Sequence, residues 1–491
     1  MIKRLSRHLG WAFHVLLRPV LYTMIGGLVT ALIVGILYLN DKPNLNVWHE
    51  VVLDEEFSTA SQVDSFEDYL KLEGRLFQEL ETQIYAKVPD AEKTAVNRFN
   101  KGSKTDLSER SPNWNRTFTL SPDNPSFGVL LLHGLSDSPY SLRSLGQQMY
   151  ADGAYVVGLR IPGHGTAPSG LRRTTFEDMA AAVELAMRHM KSTLGNAPIF
   201  IVGYSNGGAL AVHYTNNAIV DTSLPAPAGL MLISPEIGIS PAAAFAPVQA
   251  WIGETLGLKK LAWNSVEVEF DPYKYNSFAL NAGILAYHAT KLIRGQLTDL
   301  VDRGHIDKMP PILAFQSAAD ATVEAPVLIS ELFDKLNDGN HELVIFDVNR
   351  VYDAQGLLAK KLDVKSLMSG APRLYKVSLV TNKSQVSEAT VLKERPAGSQ
   401  QVYTSDLEGK WPRDVYSLAH IALPFPPDDP LYGEGDAGPD QDQFVRLGSL
   451  AVHGERDTLL IPISALTRQH WNPFYSVVKK KTQAFVREDG D

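Results

Sequence analysis

The stretch Gly203-Tyr204-Ser205-Asn206-Gly207 carries the clearest chemistry in the chain. It follows the apolar run 198–202 and precedes a helix-forming run, 208–214. Strand, tight turn and helix are the setting in which G-x-S-x-G makes a nucleophile elbow. Glycines two residues either side of the serine relieve the crowding of such a turn. Ser205 then stands at a helix N-terminus, where backbone N–H groups and the helix dipole favour a developing negative charge. A serine hydroxyl is a poor nucleophile until a neutral imidazole takes its proton. The chain must therefore bring a base, an orienting carboxylate and two backbone N–H donors to Ser205.

The elements that would do this begin near Asn115, where apolar strands and helices start to alternate. Phe127 to Leu132 is a continuous apolar strand ending at a glycine turn. Tyr140 to Asp152 is helical, Ala154 to Arg160 a strand, and Thr175 to Leu194 a long helix with Thr175 and Asp178 as a capping box. Gly229 to Ser234 is a further strand. Strands buried on both faces and separated by helices predict a mostly parallel sheet with helices on both sides. Between Pro235 and Met309 the alternation stops, for longer than a connection needs. Residues 236–309 are read as a cap over the site. The sheet resumes with Pro311 to Gln316, then a helix from Pro326 to Leu336 and a strand from Glu342 to Phe346. Residues 350–410 read as an insertion, with Tyr375 to Thr381 strand-like. The expected organisation is a basic tail and anchor at 1–40, a helical and extended segment at 41–114, a core at 115–349, the insertion, and a C-terminal part at 411–491.

Three motifs in order, Leu132-His133-Gly134-Leu135, Pro162-Gly163-His164-Gly165-Thr166 and the serine pentapeptide, resemble the α/β-hydrolase superfamily. They are most similar to its monoacylglycerol-lipase and serine-aminopeptidase-like branch, over about residues 115–350. The resemblance implies an α/β-hydrolase fold with a cap insertion. It implies an oxyanion hole made by the amides of Leu135 and Asn206, with His133 and His164 holding loops. The acid it implies is Asp320, in Ser317-Ala-Ala-Asp320-Ala-Thr-Val323, where Ser317 replaces the family's usual glycine. The order Ser, Asp, His places the base after Asp320. The run after Phe346 holds no histidine, and the next one along is His420, in a loop. A rival pair is Asp457 with His470, in a segment that mimics the same strand–loop–Asp pattern; His453 precedes Asp457, the wrong order for the base of that acid.

The first segment bears on topology. Pro19 to Leu39 holds no charge and is long enough for a hydrocarbon core of about 30 Å. Lys3, Arg4, Arg7 and Arg18 precede it, and mostly acidic residues follow. The positive-inside rule predicts an uncleaved single-pass anchor, its N-terminus cytoplasmic and everything after residue 40 outside. A cleaved signal would carry a shorter apolar run. Ser65 to Lys87 reads as one amphipathic helix, and Asn97 to Asn115 as a linker or wrapping arm.

A net charge of −9 argues against a general nucleic-acid binder. The chain has no cysteine, which excludes disulfides, cysteine-ligated zinc, a thiol nucleophile and a lipoprotein anchor. Asp436, Asp440 and Asp442 do not have EF-hand spacing, so no metal or organic cofactor is expected. The expected activity is a membrane-anchored serine hydrolase cleaving carboxylic, lipid-like esters, with a small-molecule or lipid ester as its partner. The alternatives are an aminopeptidase-like amidase, with Glu254, Glu267 or Glu269 gripping the substrate amine, and a non-catalytic scaffold.

Overall fold

The computed structural model describes residues 2–108, 110–238, 257–351, 362–434, 446–448 and 467–488. The apolar N-terminal run lies in one helix, α1 (Ile2–Asp41). Its stretch Arg18–Asp41 has a mean hydropathy of 2.3, is not buried by the rest of the chain, and is long and apolar enough to cross a membrane. The short α2 (Val47–Glu50) and then α3 (Phe66–Gln83) follow. The apolar stripe of α3 is buried, with Phe66, Tyr69, Leu72, Leu76, Phe77 and Leu80 turned inward. Ser65 caps it by accepting from the Asp68 amide.

A buried charge cluster fastens this N-terminal part to the core. Arg160 donates to both carboxylate oxygens of Glu56, at 3.2 and 2.9 Å, and to Glu73 at 3.2 Å. Tyr69 donates to the Arg160 carbonyl, and Glu73 also accepts from the amide and hydroxyl of Thr117. Such a group is held because every charge has a partner.

Among the described residues the central sheet has ten strands. In chain order they are β1 (Phe118–Leu120), β2 (Phe127–Leu132), β3 (Ala154–Leu159), β4 (Ile199–Tyr204) and β5 (Gly229–Ile233), then β8 (Ile312–Ser317), β9 (Glu342–Phe346), β10 (Lys376–Ser384), β11 (Ser387–Arg395) and β12 (Tyr403–Lys410). Their spatial order is β1-β3-β2-β4-β5-β8-β9-β10-β11-β12. From β3 through to β10 every pairing is parallel, whereas β1 and the β10–β11–β12 run pair antiparallel. β2, β3, β4, β5 and β8 are buried along their whole length. That follows from helices on both faces: α4 (Arg143–Ala151), α5 (Phe176–Leu194), α6 (Asn206–Val220) and, near the C-terminus, a helix at Tyr475–Glu488. The Thr175–Asp178 capping box starts α5. Each fully buried Leu, Val or Phe here contributes about 1.5–3 kcal/mol.

The segment expected as an insertion extends this same sheet. β10 docks parallel to β9, and β11 and β12 add hairpin-wise beyond it. Strand propensity was legible in 375–381, but the parallel partner lies behind a crossover that periodicity does not show.

The region expected as a cap holds two described parts. One is a small ribbon of β6 (Trp263–Ser265) and β7 (Phe278–Ala279). The other is a helix that the sequence reading did not assign, α7 (Leu280–Asp302), packed on α6. Between β6 and β7 the turn 271–276 is bonded on two sides. Arg98 donates to the carbonyls of Asp271 and Lys274, and Asn115 to that of Pro272. On the other side the Tyr275 amide donates to the Ser136 carbonyl at 2.8 Å. The polar arm 97–115 thus holds the cap against the loop that follows β2.

Candidate active site

Ser205 sits between β4 and α6 with φ 52° and ψ −115°. A non-glycine residue at positive φ is strained, at a cost of about 1–3 kcal/mol, and needs surroundings that hold it. Here its amide donates to the Ile233 carbonyl at 3.0 Å, and its carbonyl accepts from the amides of Gly208, Ala209 and Glu236. The two glycines of the motif are required by contact. A methyl on Gly203 would lie 2.5 Å from the Gly207 carbonyl oxygen, and one on Gly207 would lie 1.9 Å from that of Leu132.

Asp320 and His420, a hundred residues apart, meet. His420 Nδ1 is 2.9 Å from Asp320 Oδ2, both side chains buried. The other bonds to the carboxylate come from Gln316 Nε2 at 3.0 Å and from the amides of Thr322 and Val323 at 2.8 and 2.9 Å. Burial pushes the Asp320 carboxyl up, but the charge and hydrogen bond of His420 and the two amides outweigh it, and it stays below the usual carboxylate range. The tautomer with Nδ1–H donating to Asp320 leaves Nε2 as the proton acceptor. The His420 ring lies 5.4 Å, centroid to centroid, from that of Tyr204, the residue before Ser205. Among the described residues Ser205 Oγ makes no hydrogen bond, which is common before a substrate tightens a catalytic pair.

Ser317, where the family usually carries glycine, has a task. Its hydroxyl donates to the Leu418 carbonyl at 2.9 Å and so ties the acid's strand to the histidine's turn.

Asn206 is the first residue of α6, and its amide has no intrahelical acceptor. Leu135 lies in the loop after β2, and its amide has no acceptor among the described residues. Ser136 beside it has φ 65°, a strained position held by the Tyr275 bond. His133 accepts from the Ile161 amide through Nε2 and faces the Gly134 carbonyl through Nδ1. His164 faces the Pro162 carbonyl and stands edge-on to His133. Burial drives the pKa of both down, that of His164 to about 4, so both are neutral loop holders.

Three groups near Ser205 escaped the sequence reading. A methyl built on Gly134 would lie 3.2 Å from Ser205 Cβ and 2.8 Å from Asp137 Oδ2, so the two side chains flank one glycine. Asp137 is buried, which raises its carboxyl, and Lys274 of the cap turn pairs with it at 3.4 Å. Glu236, whose amide bonds the Ser205 carbonyl, is a buried acid with Oε1 unpartnered among the described residues; burial pushes it up to about 8. An acid two residues past a strand end was the available signal for Glu236. Asp137 had only its place in the loop.

Of the rival pair, Asp457 lies outside the described residues, as do His453, Glu254, Asp436, Asp440 and Asp442. His470 stacks on Tyr432 at 6.3 Å, and burial lowers it to about 4. Glu269 accepts from the amides of Asn276 and Ser277, so it shapes the cap turn.

Residues 123–347 match the family model described as serine aminopeptidase, S33. The core has the α/β-hydrolase fold, and the match to that model covers less than half of the chain. Over 108 residues the chain is 37% identical to a thermostable monoacylglycerol lipase of Bacillus sp. (strain H-257), covering 22% of this chain and 42% of that protein. Over 95 residues it is 33% identical to a putative 2-succinyl-6-hydroxy-2,4-cyclohexadiene-1-carboxylate synthase of Haemophilus influenzae, covering 19% of this chain and 36% of that protein. The matches span less than half the length of either curated relative. Among solved structures, the monoacylglycerol lipase of Paleococcus ferrophilus is 18% identical with a TM-score of 0.36, over 47% of this chain and 88% of that one.

Proposed function

We propose that this chain is a membrane-anchored serine hydrolase that cleaves a carboxylic ester of a lipid-like acyl group. Ser205 Oγ attacks the ester carbonyl while His420 Nε2 takes its proton. Asp320 orients the ring and balances the imidazolium. The amides of Leu135 and Asn206 receive the oxyanion. Collapse expels the alcohol, which takes the proton from His420, and leaves an acyl-serine. Water then attacks with His420 again as base, and the carboxylic acid departs. In this reading α1 holds the enzyme in a membrane with its N-terminus cytoplasmic, and the hydrolase domain stands outside.

The observation that carries the reading is the 2.9 Å Asp320–His420 contact beside the residue that precedes a serine strained at positive φ. The amidase reading needs a free carboxylate near Ser205 for a substrate amine. Of the two acids so placed, Asp137 is already balanced by Lys274, and Glu236 is held protonated by burial. An ester is therefore favoured.

The test is covalent labelling by a fluorophosphonate of the wild type and of Ser205→Ala, His420→Ala and His470→Ala. Labelling should vanish with the first, slow strongly with the second and persist with the third. Loss with His470→Ala and retention with His420→Ala would move the triad to the rival pair. A folded wild type that does not label would refute the enzyme reading and favour a scaffold.

A further inference from the structure

The cap grips the end of the apolar helix. Lys260 Nζ donates to the Lys42 carbonyl at 2.8 Å and to the Leu39 carbonyl at 3.3 Å. Lys42 Nζ donates in return to the Trp263 carbonyl, and its ammonium lies 5.0 Å from the Tyr38 ring. Leu39 is among the last four residues of α1, whose carbonyls lack an intrahelical donor, and a cation is favoured there. Lys259 pairs with Glu50 of α2 at 3.0 Å. Only residues 42–46 separate α2 from α1, so little slack is left between helix and domain.

This grip is continuous with the active site. Trp263 is fully buried, edge-on to His49 at 4.9 Å, and begins β6. β6 pairs with β7, and the turn between them is bonded to Ser136 and paired with Asp137 in the oxyanion loop. One small ribbon therefore stands between the end of α1 and the loop beside Ser205.

A helix that spans a bilayer ends at the headgroup level, and groups hydrogen-bonded to that end share its level. Lys42 and Lys260, hydrogen-bonded to backbone carbonyls, put two ammonium groups at that level, while Lys259 is balanced there by Glu50. We propose that cap residues 258–263 rest among the lipid headgroups, and that the site takes its ester from the leaflet in which α1 is rooted. The substrate class is a bilayer-resident acyl ester. The proposal rests on the anchored-esterase reading above and adds to it a fixed orientation and a route of supply.

The chain's lack of cysteine allows background-free labelling. Full-length protein in phosphatidylglycerol vesicles would carry an environment-sensitive fluorophore at Lys259→Cys or, as control, at Val386→Cys, which is 91% exposed at the β10–β11 turn. Headgroup spin-labelled lipid should quench the first at least five-fold more than the second. Equal quenching overturns the placement, whatever the activity. Lys260→Glu should then lower hydrolysis of a fluorogenic acyl ester in the same vesicles at least ten-fold, with p-nitrophenyl acetate hydrolysis and fluorophosphonate labelling within two-fold. A loss on both substrates, or on neither, overturns the supply route. A wild type inactive on every ester refutes the esterase reading and the supply route with it, and the quenching result still decides the placement.

Discussion

Asp320→Asn isolates the acid without changing its size. Asp320 Oδ2 faces two donors, His420 Nδ1 and Gln316 Nε2, and Oδ1 faces two more, the amides of Thr322 and Val323. An asparagine amide must set its NH2 group against one of these donor pairs, whichever way it is turned. If the NH2 faces His420, the ring must present a bare Nδ1 and carry its proton on Nε2, which can then no longer accept from Ser205. The loss of the right tautomer and of the balancing charge costs about 10³–10⁴ in kcat/KM, or about 4–5.5 kcal/mol of transition-state stabilisation. The assay is p-nitrophenyl butyrate hydrolysis together with the second-order rate of fluorophosphonate labelling, both slowed to that extent. Stability adds a second readout. The folded pKa of Asp320 lies below its ordinary 3.8, so its contribution is present above that value and is lost as pH falls through the folded pKa. The stability gap between wild type and variant should therefore narrow below about pH 4. A fall in kcat/KM of less than ten-fold would refute the assignment of Asp320 as the orienting acid.

Other perturbations test the supports. Ser317→Gly restores the family's usual residue but removes the bond to Leu418; with a neutral hydrogen bond at about 1 kcal/mol, labelling should slow about five-fold, and an unchanged rate would show that the brace does not position His420. Glu236, raised to about 8, is protonated in the fold and ionised in the unfolded chain between its ordinary 4.5 and that value, so it costs stability progressively across that window, on the order of 4 kcal/mol by its end. Thermal melts of Glu236→Gln should fall less from pH 5 to pH 8 than those of the wild type, and parallel curves would refute the buried-acid account. Arg160→Met leaves Glu56 and Glu73 unpaired in the interior, and should lower unfolding stability by about 3–5 kcal/mol in denaturant titrations of the full chain; a change under 1 kcal/mol would mean that the cluster does not fasten residues 41–114 to the core.

The elbow was legible because it is a local device: serine, two glycines and the flanking apolar runs lie within residues 198–214, and the glycines have a steric reason. Asp320 was legible from its place after a strand. His420 could be named only from the order of the triad, because β10–β12 and their connections lie between it and the acid. Its contact with Asp320 closes across a hundred residues, a distance at which periodicity is silent. The Asp137–Lys274 pair was hidden for the same reason, one partner being in the loop after β2 and the other in the cap. α7 carries apolar residues at helical spacing, from Leu280 through Leu285, Ala289, Ile293 and Leu297 to Leu300, but the loop-like stretch before it masked its start. Ser317 was visible as a departure from a pattern, and only the folded chain gives that hydroxyl its partner.

The added strands also change where the sheet stops. One end is β1, three residues long. The other is β12, which is exposed along most of its length, carries Asp406, Glu408 and Lys410, joins β11 through an irregular register near Ala389, and bends at Gly409, where φ is 122°. Among the described residues, a short strand at one margin and a charged, kinked one at the other leave no flat row of free amides for a second copy to pair with. In the anchored reading proposed above, encounters between copies at these two margins should end in separation rather than in strand pairing.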